Sequence, residues 1–309
     1  MEKPEESTGR SKTFCVTGAN GYIGSWLVKT LLERGYIVHA TVRDPGKLQI
    51  FSKWTRSDRL RLFQADLQVE GSFDKAVMGC DGVFHVAASM EFDINLEETY
   101  VQSTVINPAI QSTLNLLKAC LKSESVKRVV LTSSVYVLSK LLSEETAFKF
   151  ANENKIDLVS VITTTVAGPF LTSSVPSSIQ VLLSPITGDS KFFSILSSVS
   201  NRMGSIALVH IEDICNAHIF LMENDRAQGQ YICCVKSCPI SEFIDHLKLE
   251  YPSSKMQTFE GENQSSVPSV ISSEKLKDLG FNYKHGIEDI ICQTIASCVD
   301  CGFLPPILK

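Results

Sequence analysis

A chain of 309 residues is long enough to bury a large core, as one α/β domain or as a main domain with an appended lobe. With 44% hydrophobic and 20% charged residues its composition is that of an ordinary soluble globular protein, and a net charge of −5 with a pI near 5.7 gives no electrostatic footprint for nucleic acid. Residues 1–12 form a polar tail without an apolar signal stretch, and apolar runs such as 129–131 and 181–183 are far too short for membrane insertion, so a cytoplasmic protein is expected.

In chain order, residues 13–17 read as a short buried strand and 22–33 as a helix with apolar Ile23, Leu27, Leu31 and Leu32, ending near Gly35. Further strands follow at 36–42, 60–65, 82–87 and 128–132, and 107–122 has the apolar rhythm of a helix. Another helix is expected over 140–154 and a sixth strand over 158–166. Strands alternating with helices predict an α/β fold with a Rossmann-type, doubly wound parallel sheet. From Gly168 the texture changes: Pro169, Pro176, Pro185 and many serines point to a small C-terminal lobe, with some later elements returning to the sheet. The expected division is a tail at 1–12, a nucleotide-binding domain at 13–167 and a mainly substrate-binding lobe at 168–309.

Thr17-Gly-Ala-Asn-Gly-Tyr-Ile-Gly24 follows the first strand and opens the first helix. Gly18 permits the tight turn, Gly21 lets backbone approach a pyrophosphate, and Gly24 allows close helix–strand contact. With Tyr22 and Ile23 these residues begin a helix whose free N–H groups suit phosphates, so a dinucleotide site is expected here. At the end of the second strand, nineteen residues after Gly24, stands Arg43, with Lys47 close behind; two cations there suit a 2′-phosphate and favour NADPH over NADH. Asp44 points the other way, but the proline after it marks a turn residue. Asp66 and Leu67 follow the third strand, where the carboxylate and a backbone N–H suit adenine or Asp66 caps a helix. Val86, Ala87 and Ala88 end the fourth strand with small side chains that let a cofactor pass.

Ten cysteines are scattered through the chain, and buried free thiols such as Cys15, Cys120 and Cys215 are the expectation. Cys298-x-x-Cys301 is a single pair, with Cys233, Cys234 and Cys238 earlier; zinc needs two such pairs brought together, so no metal is expected. His85 reads as a satisfied core histidine, His210 and Asp213 as structural with Asp213 capping a helix, and Glu91, Glu97 and Glu98 as a solvated loop face. On composition 172–187 is a linker, and its place after the sixth strand suggests a loop over the cofactor.

The fifth strand runs into Leu131-Thr-Ser-Ser-Val-Tyr-Val-Leu-Ser-Lys140. A Tyr and a Lys four apart lie on one helical face, where the ammonium favours the phenolate. These motifs together resemble the extended short-chain dehydrogenase/reductases, specifically the plant group of dihydroflavonol 4-reductases and anthocyanidin reductases. The resemblance spans nearly the whole chain, through Val42-Arg-Asp-Pro45, Val83-Phe-His-Val86, 129–134, 136–140, Ala167-Gly-Pro-Phe-Leu-Thr-Ser-Ser-Val-Pro-Ser-Ser178 and Val209-His-Ile-Glu-Asp-Ile-Cys-Asn-Ala-His218. It implies an NADPH-dependent reductase of a flavonoid-like small-molecule carbonyl substrate and leaves the oligomeric state open. By position it makes Ser134 the group that binds the carbonyl and Tyr136 the acid. Lys140 would hold the nicotinamide ribose and lower the Tyr pKa. Thr163, Thr164, Thr165, Val166 and Ser178 would line the nicotinamide end, with Thr163 standing where the family usually has Pro.

The chain departs from the family at one place. Where the family has a few tens of residues between the Ser and the Tyr, this chain has Val135 alone. Matches on both sides are intact, which points to a segment lost as a block. Since α/β connections commonly need about 2–6 residues, either the fifth strand frays to release Ser133 and Ser134, or the helix starts late. If Tyr136 extends the strand, it lies on the same side as Ser134, about 6.5 Å away. Strain at this corner and loss of a pocket wall are expected. The rival reading is therefore a catalytically inactive isoform that binds NADPH and acts through cofactor or partner binding.

Overall fold

Alternate residues of the first strand face opposite layers, and the architecture grows from that alternation. The computed structural model describes residues 10–44, 46, 51, 58–87, 102–252, 256–257 and 268–306. Its main sheet is built from β1 (Thr13–Val16), β2 (Ile37–Val42), β3 (Leu60–Gln64), β4 (Gly82–His85), β5 (Arg128–Ser134), β6 (Leu158–Thr163) and β9 (Gly229–Cys233). The order is β3-β2-β1-β4-β5-β6-β9, parallel at every pairing. The order reverses between β1 and β4, and in open α/β sheets ligands bind at such a switch point. The expected fold class stands.

Phe14, Val16, Phe84, Val130, Val159 and Val161 turn to one face. There they meet α1 (Tyr22–Glu33), through Leu27, Val28 and Leu31, and α7 (Ile211–Glu223), through Ile214, Ile219 and Leu221. Cys15, Val83, Val129 and Leu131 turn to the other face. Their partners are α2 (Asp74–Val77), α3 (Asn107–Ser123, entered through a π-helical turn at Gln102–Ile106) and α4 (Leu138–Asn154).

A second sheet, ordered β10-β8-β7, joins β7 (Thr165–Ala167), β8 (Ser205–His210) and β10 (Lys236–Pro239). It carries a core of its own with α5 (Ser177–Thr187), α6 (Ser190–Met203), α8 (Ile240–Glu250) and α10 (Ile287–Asp300), through Leu183, Leu196, Phe243, Leu247, Ile290 and Ile291. The short α9 (Glu274–Asp278) returns Leu276 to the core under the main sheet. Among the described residues no helix is long and apolar enough to cross a membrane.

Three sequence expectations change. The strand expected at 158–166 is broken at Thr164, because β6 pairs with β5 and β9 while β7 pairs with β8 in the other sheet. The Thr164 hydroxyl donates to the Cys233 carbonyl at 3.2 Å and holds the break. Most of the expected loop at 172–187 is α5, whose Ile179, Leu182 and Leu183 are buried in the lobe. Pro185 lies inside that helix; the Val181 carbonyl that its missing N–H would bond accepts the Ser184 hydroxyl at 2.7 Å instead. Asp66 caps no helix: its Oδ1 accepts the Gln68 N–H at 3.0 Å in a turn, eight residues before α2 begins.

Arg128, at the foot of β5, ties the sheet to the C-terminal end of α7. Its guanidinium pairs with Asp157 at 2.8 Å and donates to the carbonyls of Leu221 (2.8 Å) and Asn224 (2.6 Å), at and just beyond the end of α7. Arg128→Met would leave those part-buried acceptors without donors and should cost about 3 kcal/mol of stability in urea unfolding. A cost under about 1 kcal/mol would mean that water replaces the guanidinium freely.

Candidate active site

The glycine-rich turn has the shape of a phosphate cradle. Gly18 has φ +64°, and a Cβ there would lie 2.8 Å from Ala87 Cα, while one on Gly24 would collide with the Gly18 carbonyl. Any larger residue would fill the turn. Helix α1 begins at Gly21 with no side-chain cap, so its N-terminal N–H groups and its dipole face the turn unassisted. The Thr17 hydroxyl accepts the N–H groups of Val86 (3.1 Å) and Ala87 (3.0 Å), which fixes the end of β4 against the turn. Its own hydrogen therefore goes to His85 Nδ1, 3.0 Å away. Thr17 is an organiser that the sequence reading passed over; its signal is the hydroxyl residue that ends β1 and begins the glycine motif.

Arg43 is exposed at the end of β2, and its guanidinium makes no hydrogen bond or ion pair among the described residues. Asp66 and Leu67 lie on the turn after β3, with the Leu67 carbonyl taken by Asn115 at 2.9 Å. Lys47, Ala88, Glu91, Glu97 and Glu98 lie outside the described residues. Val166 and Ser178 are joined by a bond from the Ser178 hydroxyl to the Val166 carbonyl, 2.7 Å. Thr163 turns its hydroxyl to the Thr164 carbonyl, 3.1 Å away, and Thr165 enters β7 opposite Leu208.

Of the two routes open at the junction, the chain takes the late helix. β5 runs to Ser134, paired with Thr163, and Val135 N–H continues the ladder to the Thr163 carbonyl at 3.2 Å. Val137 is extended at φ −118° and ψ 108°, and α4 starts only at Leu138. The positive-φ residues other than glycine among those described are Glu124 and Lys155, neither at this corner.

Tyr136 therefore does not share a helical face with Lys140, because it precedes the helix. Its N–H donates to Ser134 Oγ at 3.2 Å, a local turn. The phenol reaches into the lobe and accepts the Ala207 N–H at 3.2 Å. Register explains why that donor is free: β7 begins at Thr165 opposite Leu208, and the preceding Thr164 turns away towards β9. Burial pushes the Tyr136 pKa up, against hydrogen bonds from Ala207 and the Thr165 side chain that lower it; the Cys234 and Cys238 thiols nearby raise it further. The expected lowering by Lys140 is replaced by a rise.

Lys140 points instead to the Thr132 carbonyl, 3.1 Å away. Burial lowers its pKa to about 8, opposed by Glu144 one helical turn on. Glu144 is itself buried and accepts the Ser133 hydroxyl at 2.7 Å. Two histidines stay neutral beside the ammonium. His85 is lowered to about 3 and His218 to about 4, in each case first by burial and then by Lys140. His218 Nδ1–H donates to the Ile214 carbonyl (2.7 Å), so its Nε2 accepts the Thr132 hydroxyl (2.7 Å). Ser134, Tyr136 and Lys140 thus lie close in the chain at the carboxyl end of β5, yet the Tyr136 phenol is engaged by Ala207 and the Lys140 ammonium by Thr132.

His210, not Asp213, caps α7, through Nδ1 accepting the Glu212 N–H at 3.2 Å. Asp213 accepts the N–H groups of Lys284 and His285, at 2.9 and 3.1 Å, and pins the segment before α10. His210, Glu212 and His285 bring one ligand atom each within 4.8 Å of one another, the grouping with metal-ligand chemistry among the described residues. The His210 Nδ1 is engaged by the cap, and His285 Nε2 lies 3.2 Å from Glu212 Oε2. All ten cysteines are free. Two open clefts, of 440 and 270 Å³, lie on the lobe around Phe193 and Met256 and around Gly188 and Phe303, away from Ser134.

A model of the NAD dependent epimerase/dehydratase family matches residues 14–138 and 129–234. A putative anthocyanidin reductase of Ginkgo biloba is 43% identical over 337 residues, covering 96% of this chain and 97% of that protein. A dihydroflavonol 4-reductase of Arabidopsis thaliana is 40% identical over 334 residues, covering 96% and 85%. Among solved structures, vestitone reductase from alfalfa superposes with a TM-score of 0.78 at 30% identity, over 94% of this chain and 99% of that one.

The buried ammonium gives a pH test. Lys140 binds its proton more weakly folded, at about 8, than at the ordinary value of 10.5. The unfolded chain binds more protons between those values, so this group's contribution to stability rises from pH 8 towards 10.5 and is absent below pH 8. Comparing the parent with Lys140→Met isolates it: the parent should gain about 2 kcal/mol on the variant between roughly pH 7.5 and 10 in urea unfolding. A difference that does not change with pH would contradict the burial.

Proposed function

The chain belongs to the NAD dependent epimerase/dehydratase family, in its dihydroflavonol 4-reductase and anthocyanidin reductase group, and from that premise we propose that it binds NADPH and reduces a flavonoid-like carbonyl compound, with turnover held down by the Ser134–Val135–Tyr136 junction. Support for the cofactor comes from the cradle, where a Cβ on Gly18 or Gly24 would fill the space a pyrophosphate needs. Gly18, Gly21, Tyr22, Ile23 and Gly24 offer backbone to the phosphates, and Arg43 with Lys47 offers positive charge to a 2′-phosphate. Asp66 and Leu67 would flank adenine, and Val86 and Ala87 would line the passage, with Ala88 the next residue in sequence. Lys140, Thr163, Thr164, Thr165, Val166 and Ser178 stand towards the nicotinamide. When bound, NADPH supplies the hydride.

The chain's own part is to hold the carbonyl and deliver a proton. Ser134 would donate a hydrogen bond to the carbonyl oxygen and Tyr136 the proton, with Lys140 stabilising the phenolate. One observation carries the expected weakness: the Tyr136 phenol is held by Ala207 N–H, away from Ser134 Oγ and from the Lys140 ammonium. The alignment to the Ginkgo protein runs over 337 positions although this chain has 309 residues, so it carries gaps. The family model, moreover, matches in two pieces that overlap at 129–138. A binding role without turnover is the second reading, favoured by that same phenol contact.

Single-turnover oxidation of bound NADPH with anthocyanidin or dihydroflavonol substrates tests the proposal. The parent chain should be slow, and a variant with a family-length connection after Ser134 should gain at least about a hundredfold, the scale of a misplacement near 1 Å. Tyr136→Phe should slow the variant with the family-length connection far more than the parent, and should lower the parent's stability by about 1–2 kcal/mol, because it removes the acceptor of the Ala207 N–H. A fast parent rate that Tyr136→Phe abolishes would overturn the impaired reading.

Cofactor choice has its own test. Arg43→Ala should cost about 1.5–3 kcal/mol of NADPH affinity in a fluorescence titration and leave NADH nearly untouched. Equal losses for both dinucleotides would remove Arg43 from the 2′-phosphate.

A further inference from the structure

Tyr22 belongs to the glycine-rich turn by sequence, yet its side chain leaves it. The hydroxyl, part-buried, donates to the Gly168 carbonyl at 3.1 Å, across 146 residues of chain. A phenylalanine would fill the same space without that bond, so the oxygen is the informative atom.

Gly168 is built to receive it. Its φ is +124°, and a Cβ there would lie 2.7 Å from His210 Nε2 and 2.9 Å from Ile211 Cγ2. Any side chain is excluded, and the residue interacts through its backbone alone. Its N–H donates to Thr294 Oγ1 at 2.8 Å, and the Thr294 hydroxyl in turn donates to the Ile290 carbonyl. One glycine is thus held from one side by the helix that begins at the phosphate turn and from the other by the lobe's last long helix. Two residues earlier, the Val166 carbonyl receives Ser178 at 2.7 Å. The segment clamped at Gly168 is therefore the one that carries Thr165, Val166 and the start of α5.

We propose that Tyr22 and Thr294 are positioning residues, whose hydroxyls, through the two backbone groups of Gly168, fix the reach between the phosphate-binding turn and the lobe edge that meets the nicotinamide. The inference rests on the NADPH reading. A dinucleotide touches both ends of that span, whereas a fragment carrying only its adenosine and phosphates touches one. Loosening the clamp should weaken the whole ligand selectively.

The experiment compares NADPH with adenosine 2′,5′-bisphosphate by calorimetry on the full chain. Thr294→Val should leave the bisphosphate affinity unchanged and weaken NADPH by about fivefold, the scale of one net hydrogen bond. Thr294→Ser, which keeps the hydroxyl, should restore NADPH binding. Tyr22→Phe should lower the ratio of NADPH to bisphosphate affinity by a similar factor. Equal losses of both ligands in Tyr22→Phe would place Tyr22 against the phosphates and overturn the inference. No selective loss in either variant overturns it too, with the NADPH reading intact. Failure of the parent to bind either ligand would overturn that reading and this inference together.

Discussion

One residue of connecting chain governs the site. With Val135 alone between Ser134 and Tyr136, β5 has no room to turn before its chain is used up, so Val135 prolongs the ladder to Thr163 and Val137 stays extended. The helix then starts at Leu138, too late to hold Tyr136. An aromatic residue on an extended run beyond a sheet's edge must find cover, and the lobe offers it together with one unpaired donor, the Ala207 N–H. Burying the phenol without that acceptor role would cost more than leaving the residue in solvent. The contact is thus a satisfied one, and no described residue around it other than glycine has a positive φ.

The two halves of the site obey different rules. The phosphate cradle is local: it needs a strand end, three glycines and the first turn of a helix, all within Thr17–Gly24. Nothing at the β5–α4 junction disturbs it. The reacting end is non-local, drawing on β5, α4, β6, β7 and α5. There the one-residue junction leaves Ser134, Tyr136 and Lys140 with separate contacts. Lys140 keeps its place on α4 and settles on the Thr132 carbonyl, with Glu144 nearby and two histidines held neutral around it. Most of the electrostatic setting survives without the residue it would act upon.

The same distinction explains what was legible in the sequence. The parallel sheet, the glycine turn and Arg43 at the end of β2 follow from periodicity and short spacings, and the structure has them in those places. The junction's two outcomes were both visible; choosing the late helix required knowing that Val135 N–H has Thr163 as a neighbour. The break at Thr164 was hidden because 158–166 is an unbroken run rich in β-branched Val, Ile and Thr, all at home in a strand, and only pairing with β8 in another sheet reveals it. Helix α5 was hidden by its prolines and serines, although Ile179, Leu182 and Leu183 carry the helical spacing. Asp213 stands early in α7 and is of a common capping type, while His210, whose ring nitrogen takes the role, is a rarer capping residue.

The state of the Tyr136 phenol is the most direct test of this account. Carbon-13 NMR of the tyrosine Cζ, with Tyr136 assigned by its loss in Tyr136→Phe, reads that state against pH. Burial outweighs the hydrogen bonds from Ala207 and Thr165 and places its pKa above the ordinary value of 10.0, so the account predicts a resonance that does not move below about pH 10. A midpoint near or below about pH 8 would mean that the Lys140 ammonium reaches the phenol after all, and that the shortened site assembles.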